Sequence, residues 1–257
     1  MELEHLYGDR VVILNDPFIN SILTPFSTEK VEQPHFTEQL KKIYSHLCAF
    51  ALSRELKTEK VKVATRMSEL HPDCPLESEI FDRNQKAVCV DLARAGMIPS
   101  QVCYETLNQL LPPVNVRQDH VWAARKVNEK KEVIGTTLDG SKIGGPVTES
   151  TVLFPDPMGA TGGTLKSVIE YYKENVDGPA KKYLGLHIII TPEFLKRVLE
   201  IPDLKIYACR LDRGLSSPEI LRSVPGTHWD KERGINKNSY IVPGAGGVGE
   251  LLNNSYV

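Results

Sequence analysis

From Phe36 onward, apolar residues recur every three or four places. Phe36, Leu40, Ile43, Leu47 and Ala51 form one stripe, which Arg54 continues in spacing, while Lys41, Lys42 and Glu55 lie off it. That spacing predicts an amphipathic helix. A short strand is expected at 61–64. The pattern then changes. Residues 87–93, AVCVDLA, form a nearly continuous apolar run that suits a strand buried on both faces. Pro99 suits a helix's first turn, and Val102, Leu107, Leu110 and Leu111 continue that helix. Further strands are expected at 121–127, 151–154, 183–191 and Leu204–Leu211, with helices at 164–174 and 192–201. Residues 132–138 and 142–147 flank Asp139-Gly140, and an Asp-Gly pair supplies the positive φ of a tight hairpin. A hairpin arm is therefore expected at about 128–148. Residues 1–35 have no strong period and contain Pro17, Pro25 and Pro34, so they read as an irregular N-terminal arm on a single domain at 36–257. Alternation of strand and helix predicts an α/β fold, a mostly parallel sheet flanked by helices.

Composition narrows the class. The chain has 257 residues, 41% of them apolar and 25% charged, with a net charge of −2. This is ample material for a core and lies on the folded side of the order–disorder divide. Near-neutral charge argues against wrapping a nucleic acid. The basic pairs Lys41-Lys42, Lys130-Lys131 and Lys181-Lys182 are short and separated. The first sixteen residues carry acids and no apolar core, so no signal peptide is expected. No apolar stretch approaches the roughly 20 residues that span a bilayer. Neither a nucleic acid nor a membrane partner is expected, and the expected location is the cytoplasm. The cysteines are Cys48, Cys74, Cys89, Cys103 and Cys209, an odd set without CxxC. They read as reduced thiols, not a disulfide frame or a zinc site. His71 and Cys74 in HPDC read as a loop, and no protein metal site is expected.

The densest local chemistry is Thr151-Val-Leu-Phe-Pro-Asp-Pro-Met-Gly-Ala-Thr-Gly-Gly-Thr164, followed by LKSVIEYYKE. A strand ends, a turn of small residues follows, and a helix begins. Ligands of open α/β sheets bind beyond the carboxyl ends of the strands. Gly159, Gly162 and Gly163 give a backbone that approaches a ligand closely. The helix start offers free N–H groups and a partial positive charge, which together make a phosphate cradle. Thr161 and Thr164 add hydroxyl donors, and Asp156 at the strand end is placed to meet hydroxyls or a hydrated cation on the ligand. A Walker A loop is excluded, because no Gly-Lys-Ser/Thr occurs, and a dinucleotide fold is poorly matched without GxGxxG.

The segment Asp156-Pro-Met-Gly-Ala-Thr-Gly-Gly-Thr164 resembles the phosphoribosyl diphosphate (PRPP) loop of uracil phosphoribosyltransferases. Leu92-Ala-Arg-Ala-Gly96 resembles the family's Arg-Ala-Gly loop, which meets pyrophosphate. Arg125 in AARKV falls where the family has a second PRPP-binding arginine. Tyr240-Ile-Val-Pro-Gly-Ala-Gly-Gly-Val-Gly249 resembles the uracil loop, and residues 36–63 resemble the N-terminal helix and following strand. The resemblance thus runs from about residue 36 to the end. It implies a type I phosphoribosyltransferase fold that makes UMP and diphosphate from uracil and PRPP. By the same resemblance PRPP meets Arg94, Arg125, Asp156, Pro157, Met158, Gly159, Ala160, Thr161, Gly162, Gly163, Thr164 and Gly247, with Arg94 and Asp156 the catalytic pair. Uracil meets Ile241, Gly246, Gly247 and Val248. Mg²⁺ arrives with PRPP, GTP activates some relatives, and a homodimer or homotetramer is implied.

The residues suit this chemistry. Arg94 and Arg125 offer planar forks that match diphosphate oxygens and stay charged. Charge grows on the leaving diphosphate as the ribosyl group gains oxocarbenium character, so positioning and leaving-group stabilisation carry the rate. No general base is demanded. The chain also departs from the family. The family's Gly-Asp-Ala reads Gly246-Gly247-Val248, which removes a carboxylate at 247. By the same resemblance Arg213 stands where the family has an acid after Leu-Asp, and the stretch between Gly214 and Tyr240 is longer than the family's; its His228 and Trp229 read either as a cap on the base pocket or, the better-favoured reading, as a packed aromatic. Two other readings stay open at this level: the same chemistry on another base, and a PRPP- or nucleotide-binding regulator with little catalysis.

Overall fold

The first 35 residues are not an irregular arm. In the computed structural model, which describes residues 1–127 and 133–255 and, of 124–127 and 133–136, the backbone alone, they enter the sheet and its core. Strand β1 (Val11–Ile13) pairs in parallel with a strand far along the chain, Val12 opposite Tyr207. Asp16 then caps helix α1 (Pro17–Phe26), accepting the Phe18 N–H at 2.8 Å, with Pro17 at the first helical position. Ile19, Leu23 and Phe26 of α1 are fully buried. Helix α2 (His35–Glu55) follows the predicted stripe, and its Tyr44 hydroxyl donates to the Leu186 carbonyl at 3.1 Å across the core.

Strands β2 (Thr58–Val63) and β3 (Leu76–Phe81) form a separate two-stranded antiparallel ribbon, exposed along most of its length. The main sheet resumes with β4 (Lys86–Ala93), followed by α3 (Met97–Leu110). Strands β5 (Val116–Val127) and β6 (Val133–Lys142) are the hairpin, and 128–132 lie outside the described residues. Asp139-Gly140 is not the hairpin turn. Trp122 pairs with Gly140 and Ala123 with Leu138, so Asp139 is the extra residue of a bulge within β6. Residues 143–147, expected as a strand, carry Gly144, Gly145 and Pro146 and form a loop.

Strand β7 (Ser150–Pro155), a two-residue β8 (Met158–Gly159), helix α4 (Gly163–Asn175), β9 (Lys182–Ile190), α5 (Pro192–Val198) and β10 (Leu204–Leu211) complete the alternation. Two short helices, α6 (Pro218–Arg222) and α7 (Val248–Asn253), follow. The sheet order is β1-β10-β9-β7-β4-β5-β6, with β8 beside β9, and among the described residues only β6 runs antiparallel to its neighbour in this sheet. Strand residues alternate between two cores. Cys89, Leu153, Leu184 and Leu186 pack against the side that holds α1, α2 and α3. Val88, Val152, Phe154 and Ile190 pack against the side that holds α4 and α5. Burial on both faces explains the unbroken apolar runs. Asp119 ties α4 to β5: it accepts from Arg117 Nε at 2.8 Å and from the Tyr172 hydroxyl at 2.9 Å.

Candidate active site

Strands β4 and β7 are neighbours, so the segments that leave their carboxyl ends begin side by side. Arg94 follows β4 directly, across a cis peptide bond from Ala93. Asp156 follows β7 directly and is anchored by its backbone. Its N–H donates to the Leu186 carbonyl at 3.1 Å, and its carbonyl accepts from His187 Nδ1 at 2.6 Å. His187 is fully buried, and burial holds its pKa down at about 4, against the opposing pull of the Asp156 carbonyl. The ring is therefore neutral, with its proton on Nδ1, and props the strand end from below.

The turn into α4 depends on Gly162. Its φ of 75° lies in the left-handed region, and a Cβ there would approach Val198 Cγ1 to 2.8 Å. Lys166 is the first residue of the helix to find a carbonyl, that of Gly162 at 3.0 Å. The N–H groups of Thr164 and Leu165 have no acceptor among the described residues. Free N–H groups at a helix start are the standard means of holding a phosphate. Gly159 has a different reason from the one expected. A Cβ on it would meet Ile190 Cγ2 at 2.9 Å, so its smallness serves packing against β9 and not approach to a ligand.

The C-terminal loop is clamped from β10. Arg210 Nε and Nη2 grip Asp212 at 2.7 and 2.9 Å, Asp212 accepts the Gly244 N–H at 2.7 Å, and Arg210 Nη2 donates to the Gly244 carbonyl at 2.9 Å. Val242 pairs with Gly234 at 2.8 Å. The clamp leaves the N–H groups of Ile241, Gly246, Gly247 and Val248 without acceptors among the described residues.

These pieces meet in one cleft of about 620 Å³. Of the residues singled out from sequence, Arg94, Asp156, Met158, Ala160, Thr164, Ile241, Gly246, Gly247 and Val248 line it. Pro157, Gly159 and Gly162 are buried beneath the loop, and Thr161 and Gly163 are half-buried in the turn without lining the cleft. Arg125 lies in β5 opposite Thr136, and its side chain is outside the described residues. Trp122, Asp139, Tyr240 and Glu250 line the cleft without having been singled out as site residues. Arg94 is exposed and donates from Nη1 to Ser255 Oγ at 2.9 Å.

A sequence profile of the family described as uracil phosphoribosyltransferase matches residues 12–228. The chain belongs to the uracil phosphoribosyltransferase family. It is 28% identical over 237 residues to the uracil phosphoribosyltransferase of Thermococcus kodakarensis, covering 92% of this chain and 86% of that relative. It is 23% identical over 241 residues to that of Malacoplasma penetrans, covering 93% and 97%. Among solved structures, the AQ2163 protein from Aquifex aeolicus superposes with a TM-score of 0.69 at 22% identity, covering 94% and 97%, a likeness of fold. The profile begins inside β1, so the N-terminal strand belongs to the family match. It ends before Tyr240, and the C-terminal loop is brought to the site by its place in the cleft.

The family departure at Arg213 is structural. Arg213 is buried, pairs with Glu232 at 2.9 Å, and donates to the Leu221 and Ser223 carbonyls at 3.2 and 2.6 Å. Glu232 also accepts from the Tyr7 hydroxyl. The network fastens the long segment after β10 to the N-terminus, away from the cleft. Trp229 packs there too, edge-on to Tyr7 at 5.0 Å, with its Nε1 on the Pro192 carbonyl at 3.2 Å, and His228 is exposed. Neither lines the cleft, so neither caps a base.

Proposed function

We propose that this cleft transfers ribose 5-phosphate from PRPP to uracil, giving UMP and diphosphate. The observation that carries the reading is the joining, in one cleft, of two sets of unpaired backbone N–H groups with Arg94 and Asp156. The 5′-phosphate takes the N–H groups at the start of α4. Asp156 accepts from the ribose hydroxyls. The Arg94 fork, released from Ser255, binds the diphosphate, and Arg125 is assigned to the same anion. Uracil presents an acceptor–donor–acceptor edge, which the main chain of Ile241, Gly246, Gly247 and Val248 complements without a special side chain. Leaving-group stabilisation by fixed cationic donors then supplies most of the barrier lowering.

Mg²⁺ belongs with the diphosphate as part of the substrate, and the Asp156 carboxylate is an oxygen donor of the kind it takes. Activation by GTP, assembly into a dimer or tetramer, and a cytoplasmic location complete the proposal. No helix among the described residues is long and apolar enough to cross a membrane. The test is steady-state turnover with PRPP and a panel of bases. Uracil should turn over, with cytosine and purines lower by on the order of a thousandfold, because mismatched edges leave buried groups unpaired. Preference for another base, or PRPP binding without turnover, would replace the uracil assignment.

A further inference from the structure

We propose that the carboxylate of Glu250 contacts the ribosyl group of the substrate; the proposal rests on the phosphoribosyl-transfer reading above. Glu250 is the third residue of α7 and lines the same cleft as Arg94, Asp156 and Thr164. Its side chain folds back along the loop. A Cβ built on Gly247 would overlap Glu250 Oε2 and stand 2.8 Å from its Cδ. Gly247 itself has φ −82° and ψ 83°, a backbone open to residues with side chains. Glycine at 247 is thus not required by the turn. The overlap places the Glu250 carboxylate directly over the backbone of Gly247.

A helix-stabilising role would look different. Gly247 is the residue before the helix, and a glutamate at the third helical position ordinarily reaches back to that residue's N–H. Glu250 makes no such bond, and its carboxylate has no hydrogen-bond or ion-pair partner among the described residues. It is held over the loop backbone with its accepting capacity unused. The ligand chemistry that satisfies it is a hydroxyl-bearing, partly cationic group, which describes a ribosyl centre as its bond to diphosphate breaks. There the carboxylate accepts from a ribose hydroxyl and offsets the growing positive charge.

The test compares the unmutated protein, Glu250→Gln, and the double variant Gly247→Asp/Glu250→Ala, in which the space over 247 is vacated. Calorimetry with Mg²⁺ and PRPP precedes steady-state kinetics with uracil. Glu250→Gln keeps size and loses charge. It should lower kcat/KM for PRPP by about tenfold to a hundredfold, the loss typical of a hydrogen bond to a charged group. The KM for uracil and the thermal unfolding midpoint should not change. The double variant should recover most of the loss, because a carboxylate returns to the same space from 247. Gly247→Asp alone should be slower than the unmutated protein, since two like charges then share one place. Unmutated PRPP kinetics in Glu250→Gln would overturn the proposal, as would a double variant that recovers nothing. An unmutated protein that binds no PRPP in the calorimeter would overturn the phosphoribosyl-transfer reading, and this inference with it.

Discussion

Acidification should weaken this protein through His187 in a measurable and separable way. The ring sits fully buried beneath Asp156, its Nδ1 proton on the Asp156 carbonyl and its Nε2 without a partner among the described residues. In the folded chain its pKa is about 4, against 6.5 ordinarily. The unfolded chain takes up a proton as pH falls through about 6.5, while the folded chain takes it up only near 4. The folded state therefore loses stability across that window and none above it. The full difference is roughly 3 kcal/mol, of which about 2 kcal/mol has been lost by pH 5. His187→Asn removes the titration while keeping an N–H donor for the carbonyl. Urea unfolding of both proteins at pH 7 and pH 5 cancels the contribution of the other titrating groups. The unmutated protein should lose about 2 kcal/mol more than the variant over that interval. Parallel losses would refute the burial argument and the role of a neutral histidine under the loop.

Gly162→Ala places a Cβ at φ 75° and within 2.8 Å of Val198, so thermal unfolding should show a loss of about 1–2 kcal/mol or more. Calorimetry should find PRPP binding weakened in the same variant. Arg210→Lys keeps the charge but loses the fork that holds Asp212 and Gly244, so steady-state kinetics should show a raised KM for uracil with KM for PRPP little changed.

The central strands were legible because β4, β7, β9 and β10 are buried on both faces, which writes an apolar run into the sequence. The N-terminus was not legible for the opposite reason. Strand β1 is three residues long, too short for a period, and α1 carries Pro25 within ten residues. Their order comes from pairing with β10 and from docking on α2. The strand expected at 61–64 is the end of β2, but its partner β3, LESEIF, was not read, because pairing with β2 leaves all but Phe81 exposed and gives no apolar face to detect. Asp139-Gly140 carried a turn signature, but the strand continues through it with Asp139 as the extra residue of a bulge, a register feature that the dipeptide does not announce. Arg94 and Asp156 were legible because they end neighbouring strands. Trp122 and Glu250 were not: each reaches the cleft through tertiary placement, Trp122 from the edge hairpin and Glu250 by folding back over Gly247.

The claim at the centre of the account is that one cleft holds a 5′-phosphate on the first turn of α4 and a uracil edge on the backbone of the C-terminal loop. A crystal structure of the protein with UMP measures both contacts at once. The account predicts phosphate oxygens within hydrogen-bond distance of the Thr164 and Leu165 N–H groups, and the uracil edge paired with the main chain of Ile241, Gly246, Gly247 and Val248. UMP bound with its base on α4, or bound outside the cleft, would contradict it.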